Sequence, residues 1–178
     1  MAFPYSSGDV LTASDLNASS GLVLVKSVTI GSGVSSVTVT NAFSSTFDNY
    51  RLMIRVETAS TDVAINLVMG TSTTGYYYSA MLAEFTGVTG QTNLQNGSKW
   101  RIGAADSTGG RIACDIFSPY LATRTAVGFS STYYDPSGYQ ETGGGFHNDS
   151  SQYTQFGIDS AGATMTGGDI RLYGYNNG

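Results

Sequence analysis

The segment Phe47 to Gly70, FDNYRLMIRVETASTDVAINLVMG, alternates between apolar and polar positions in two runs separated by a polar break. Tyr50, Leu52, Ile54 and Val56 fall on one side of an extended chain, while Arg51, Met53, Arg55 and Glu57 fall on the other. That two-residue period predicts a strand with one face in a core. Val63, Ile65, Leu67 and Met69 then share a side opposite Ala64, Asn66 and Val68, and the residues from Thr58 to Asp62 read as a polar turn. Two such strands joined by about five residues predict an antiparallel hairpin whose apolar faces enter one core.

Short runs of the same kind recur between turn signals: Leu22 to Ile30, Val34 to Thr40, Tyr76 to Phe85, Gln91 to Ile102, Arg111 to Phe117, Thr123 to Ser131, Gln140 to Phe146, Tyr153 to Ile158 and Asp169 to Tyr175. Within Gln91 to Ile102, Asn96-Gly97 predicts a two-residue type I′ turn, with Trp100 and Ile102 facing inward. About ten antiparallel strands must stack or close to cover their faces and edges. The expected fold is all-β, an antiparallel two-sheet sandwich of jelly-roll-like form over residues 22–178, preceded by a short irregular arm at 1–21. Alternation does not determine the strand order.

Composition agrees with this reading. Gly numbers 23 of 178 residues and charged residues are 12%, against about 25% charged in ordinary domains. A chain of this length buries roughly 70% of its unfolded surface, so a core forms without metals or disulfides, and no cofactor is expected. The net charge of −5 and the scatter of the eight Lys and Arg along the sequence argue against a nucleic-acid partner. The single cysteine, Cys114, excludes an internal disulfide, and its alternation with Ile112 and Ile116 places the thiol on an apolar face. The opening MAFPYSSGDV has neither the basic nor the apolar region of a leader, and no apolar run has the length of a membrane span, so synthesis in a cytoplasm without membrane insertion is expected.

In residues 1–21 the apolar positions Phe3, Tyr5, Val10, Leu11 and Leu16 are too irregular for a strand, and Thr12 to Asp15 suggests a capped helical turn. Such a segment either packs on its own domain or docks onto another chain. His147 is the only histidine; without metal-ligating or nucleophilic partners in sequence, it reads as a surface or edge residue. The preceding Gly143-Gly144-Gly145 lacks the Lys-Ser/Thr of a phosphate loop and reads as a strand edge approached by another backbone. Nothing in the spacing of the 13 Asp and Glu selects an acid pair, so no enzyme activity is expected.

The aromatics are more telling. Twelve Tyr accompany 8 Phe and 1 Trp, and Tyr76, Tyr77, Tyr78, Tyr133, Tyr134 and Tyr139 sit beside Ser, Thr, Asn and Gly. Alternation gives Tyr77 the face opposite to Tyr76 and Tyr78, so this cluster cannot be wholly core. The six are candidates for glycan or partner contact, with plugging of a subunit interface or capping of the sandwich ends as the alternative. Ile170 and Leu172 alternate with Arg171, Tyr173 and Tyr175, so the last strand is expected to be locked into a sheet.

Three stretches carry a resemblance. GDVLTASDLNA (Gly8 to Ala18) resembles the short N-terminal segment of many tailed-phage tail fibre and minor tail proteins. FSSTFDNYRLMI (Phe43 to Ile54) and GGDIRLYGYNNG (Gly167 to Gly178) are similar to the first and last strands of small β-sandwich domains in phage structural proteins. The region from Tyr76 to Gly162 carries none of it. The resemblance implies a non-enzymatic virion component, often trimeric, anchored to other virion proteins through its N-terminal arm and facing host surface glycan with its β-domain. Such fibres commonly carry a shaft between anchor and head, whereas here only Ser19 to Gly21 intervenes. A head decoration protein clamping capsid subunits is therefore the competing expectation.

Overall fold

The computed structural model describes residues 21–87, 89–134 and 138–176. The arm residues Phe3, Tyr5, Val10, Leu11 and Leu16, with the capped turn expected near them, lie outside the described residues. The described chain is all-β. Twelve strands run in order: β1 (Leu22–Thr29), β2 (Ser36–Val39), β3 (Asn49–Ala59), β4 (Val63–Met69), β5 (Tyr76–Glu84), β6 (Thr89–Gly97), β7 (Trp100–Ala105), β8 (Gly110–Phe117), β9 (Ala126–Tyr133), β10 (Tyr139–His147), β11 (Phe156–Asp159) and β12 (Met165–Tyr175). They form an eight-stranded sheet, β1-β12-β3-β8-β9-β10-β5-β6, and a four-stranded sheet, β2-β11-β4-β7. All pairings between named strands are antiparallel, and the two sheets enclose one core.

The alternation in Phe47 to Gly70 is realised, but the expected hairpin is not. Tyr50, Leu52, Ile54 and Val56 of β3 and Ile65, Leu67 and Met69 of β4 all enter the core, yet β3 pairs with β12 and β8 while β4 pairs with β11 and β7. The connection is a corner from one sheet to the other. Its backbone is satisfied by other loops, with Ala59 N donating to the Asp106 carbonyl at 2.7 Å and Ser60 N to that of Thr164 at 2.9 Å. An inward apolar face is equally well buried across the sandwich as beside its neighbour, so alternation could not distinguish the two.

The Asn96-Gly97 turn is corrected for the same reason. Asn96 has a φ of 53°, but Gly97 pairs with Tyr76 inside β6, and the chain then crosses through Ser98 and Lys99 to β7 in the other sheet. Trp100 and Ile102 are nevertheless fully buried. Cys114 is buried as expected, and burial pushes its thiol far above the ordinary range. β12 lies inside the large sheet, between β1 and β3.

Candidate functional site

The outer face of the eight-stranded sheet can be read row by row from its register. One row runs Tyr173, Arg51, Asp115, Gly128, Gly144, Ser79, Asn93 across seven strands. Its middle has little or no side chain, leaving a furrow. Along one flank Phe117, Ala126, Phe146 and Tyr77 are successive partners; along the other, Met53, Ala113, Ser130, Thr142 and Met81.

Tyr77 and Phe146 stack almost parallel, 4.9 Å between centroids and 4° between planes, and the Arg124 guanidinium lies 5.9 Å over the Phe146 ring. Phe146 is 40% exposed. Beside the stack opens a pocket of about 560 Å³ lined by Tyr77, Tyr78, Ser79, Asn93, Leu94, Gln95, Gly144, Gly145 and Phe146. None of these residues carries a charge. The strands crowd here: a Cβ on Gly144, which faces outward, would fall 2.8 Å from the Val127 carbonyl oxygen, and one on Gly145, which alternates to the inner face, 2.1 Å from that of Tyr77. The expected close approach of another backbone is thus present, but β10 is an interior strand between β9 and β5, not an edge.

The stack is fixed from below. Trp100, fully buried, donates its indole N–H towards the carbonyl oxygens of Tyr77 and Phe146, at 3.2 and 3.3 Å. Around it pack Tyr76, edge-on to Trp100 at 5.0 Å and to His147 at 4.3 Å, and Tyr153, edge-on to His147 at 5.8 Å.

His147 is therefore not a surface residue. It is 1% exposed, placed inward by the alternation of β10, and its partners come from elsewhere in the chain. Nε2 lies 2.8 Å from the Thr74 carbonyl oxygen and 2.9 Å from Ser72 Oγ, and Nδ1 lies 3.0 Å from the Tyr153 hydroxyl. A carbonyl only accepts, so Nε2 carries the proton and Nδ1 accepts from Tyr153. In that tautomer the imidazole has no lone pair towards Ser72 and cannot act as its base. Burial, more than the nearby Asp149, pushes the Tyr153 phenol up to about 12.

A second pocket, of about 430 Å³, lies on the same outer face over β12, β3, β8 and β9, lined among others by Met53, Arg55, Arg111, Ser130, Asp169 and Arg171. Half of the eight basic residues, Arg51, Arg55, Arg111 and Arg171, meet in this part of the sheet, so their scatter is confined to the sequence. Arg55 faces Arg111 directly across the strands, a repulsive placement that neighbouring groups relieve. Arg55 reaches Asp169 and Glu57, each at 2.9 Å, Arg171 reaches Asp169 at 3.1 Å, and Arg51 reaches Asp115 at 3.0 Å. Arg111 donates to the carbonyls of Val56 and Gly110 at 2.8 and 2.9 Å.

The six candidate tyrosines separate. Tyr76 is in the core, its hydroxyl accepting from Met69 N at 2.8 Å, and is closed to a ligand. Tyr77 is on the outer face and Tyr78 is half-buried, both lining the uncharged pocket. Tyr133 is 6% exposed and stacks on Tyr139 at 5.0 Å; burial pushes its phenol up to about 12. Tyr139 donates to Glu84 at 2.9 Å, and Tyr134 is 63% exposed. Tyr139 pairs with Glu84 at the far end of β5, seven residues beyond Tyr77, about 24 Å at the rise of a strand. The two tyrosine groups therefore do not form one site. Phe146, Asn93 and Gln95 were not singled out in the sequence; the only signal for Phe146 was an aromatic at an outward position after a glycine run.

No family model matches the chain, and no curated protein matches it. Among solved structures it is similar to a mutant of the GH43 protein BlXynB from Bacillus licheniformis, at 11% identity and a TM-score of 0.22, covering 72% of this chain and 28% of that one. It is also similar to a structure of the infectious bursal disease virus Gt strain, at 11% identity and a TM-score of 0.16, covering 84% and 42%. The chain thus spans less than half the length of either, and likenesses this slight carry no argument about fold or function.

Proposed function

We propose that this chain is a structural protein of a tailed-phage virion, a tail fibre or tail-tip receptor-binding protein held through residues 1–21 with the sandwich facing outward. The observation that carries the reading is the pairing of the two β-sandwich stretches that resemble phage structural domains. Phe43 to Ile54 ends in β3 and Gly167 to Gly178 contains most of β12, and these strands pair through Leu52 with Leu172 and Ile54 with Ile170. Segments more than a hundred residues apart thus form one structural unit. The furrowed outer face is then the surface offered to a host glycan, and the protein works by binding. Assembly as a homotrimer belongs to the same reading, since copies can cover one another's open sheet edges.

Gold-labelled antibody on intact particles tests it. Label at the tail is the expected result, and label absent from particles overturns the virion reading. The short link at Ser19 to Gly21 favours a second reading, a head decoration protein, for which label would cover the head. Protein lacking residues 1–21 is expected to fold but stay out of particles; its normal incorporation refutes the anchor. Light scattering that gives only monomer up to high concentration counts against the trimer.

A further inference from the structure

We propose that the uncharged pocket beside Tyr77 and Phe146 binds a neutral pyranose unit of a glycan chain. The inference deepens the attachment reading and rests on it only for the cell-surface origin of that glycan. A pyranose presents flat patches of C–H groups bordered by hydroxyls. The aromatic stack supplies a rigid apolar wall for the first. Asn93, Gln95 and Ser79 supply groups that both donate and accept for the second.

Charge selects the occupant. No lining residue is ionised at neutral pH, and at the far end of the furrow Arg51 and Asp115 neutralise each other at 3.0 Å. An anionic unit placed here would lose hydration while no lining side chain supplies a counter-charge, and the Arg124 guanidinium beside the pocket is already engaged over the Phe146 ring at 5.9 Å. The volume of about 560 Å³ is in the range of small-ligand sites, roughly 300–1,000 Å³. The furrow continuing through Gly144 and Gly128 gives neighbouring units a path across the sheet. Trp100 holds the Tyr77 and Phe146 backbones in place before any ligand arrives, which lowers the entropy lost on binding.

The test is affinity electrophoresis of the full-length protein in native gels cast with neutral polysaccharides (dextran, mannan, galactan) or with anionic polygalacturonate. At least one neutral gel is expected to retard the protein. Tyr77→Ala, and separately the double variant Asn93→Ala/Gln95→Ala at exposed positions, should weaken retardation about tenfold or more, a loss of about 1.4 kcal/mol or more. Tyr134→Ala, exposed but remote, should migrate like the parent. Thermal melts establish that each variant is folded, and the double variant serves if Tyr77→Ala does not fold. No retardation by any neutral gel, retardation only by polygalacturonate, or undiminished retardation of a folded pocket variant overturns the proposal. Protein retarded by a neutral gel but absent from particles keeps the site and loses the virion reading; tail-labelled protein that no neutral gel retards does the reverse.

Discussion

On the outer face of the broad sheet, β12, β3 and β8 carry Arg51, Arg55, Arg111 and Arg171 in contact with Asp115, Asp169, Glu57 and backbone carbonyls, whereas β10, β5 and β6 present aromatics, amides and glycine without a charge. Both regions contain a pocket, but their chemistry differs. In the first, the charges are consumed by one another and by the backbone. In the second, the polar groups of Asn93 and Gln95 stand beside the Tyr77–Phe146 stack, whose neighbouring cation is Arg124 over the Phe146 ring. On the proposed reading, a glycan would use the second region, where intramolecular pairing has not already used the polar groups.

The largest expected effect comes from the arginine-rich region. Deleting Ile170 to Tyr175 removes most of β12 and exposes the flanks of both β1 and β3, so soluble folding should be lost; a soluble truncated protein with a cooperative melt would show that the sheet does not depend on this strand. Next is the support beneath the aromatic region. Trp100→Ala should cost roughly 3–5 kcal/mol by denaturant titration, and Trp100→Phe roughly 1–3 kcal/mol, because the indole bonds to the Tyr77 and Phe146 carbonyls are lost. A Trp100→Phe protein as stable as the parent would mean that the indole bonds do not hold the stack.

Glycines give a finer contrast. Gly145→Ala drives a methyl group against the Tyr77 carbonyl and should cost roughly 1–3 kcal/mol. Gly128→Ala points into open space and should stay within about 0.5 kcal/mol of the parent. Equal costs at the two sites would refute the crowding of β10 against β5.

Alkali probes the buried phenols. Tyr153 and Tyr133 both have folded values raised from 10.0 to about 12 by burial, so above pH 10 the unfolded chain releases protons that the folded chain retains. Their stabilising contribution is complete below pH 10 and is lost as pH rises towards 12. The melting temperature should fall across that window, and Tyr153→Phe should flatten part of the fall; an unchanged pH profile in this variant would dissociate Tyr153 from it. The smallest effect is expected at Arg55, whose ion pairs are exposed and screened by solvent. Arg55→Ala should melt like the parent, and a large drop would show that the arginine cluster holds the sheet together.

Much of the secondary structure was legible in the chain because burial of one strand face imposes a period of two whatever the partner. The inward positions of Tyr50, Leu52, Ile54, Trp100, Ile102 and Cys114 followed from that period alone. Tyr77 could be assigned to the opposite face from Tyr76 for the same reason. The expected hairpin between β3 and β4 failed because a short polar link serves a corner between sheets as readily as a turn within one. His147 was misread because Ser72, Thr74 and Tyr153 become its partners only through folding.

The sequence by itself determined an all-β chain, its strand positions and most of its core, since local alternation and glycine-rich turns carry that information. Only the tertiary structure decided which strands pair, and with them the composition of both outer regions. Register across separate strands brought Phe146 against Tyr77 and gathered four arginines from positions 51 to 171. Such neighbours are set by non-local hydrogen bonding and by packing between two sheets, which no window of adjacent residues encodes.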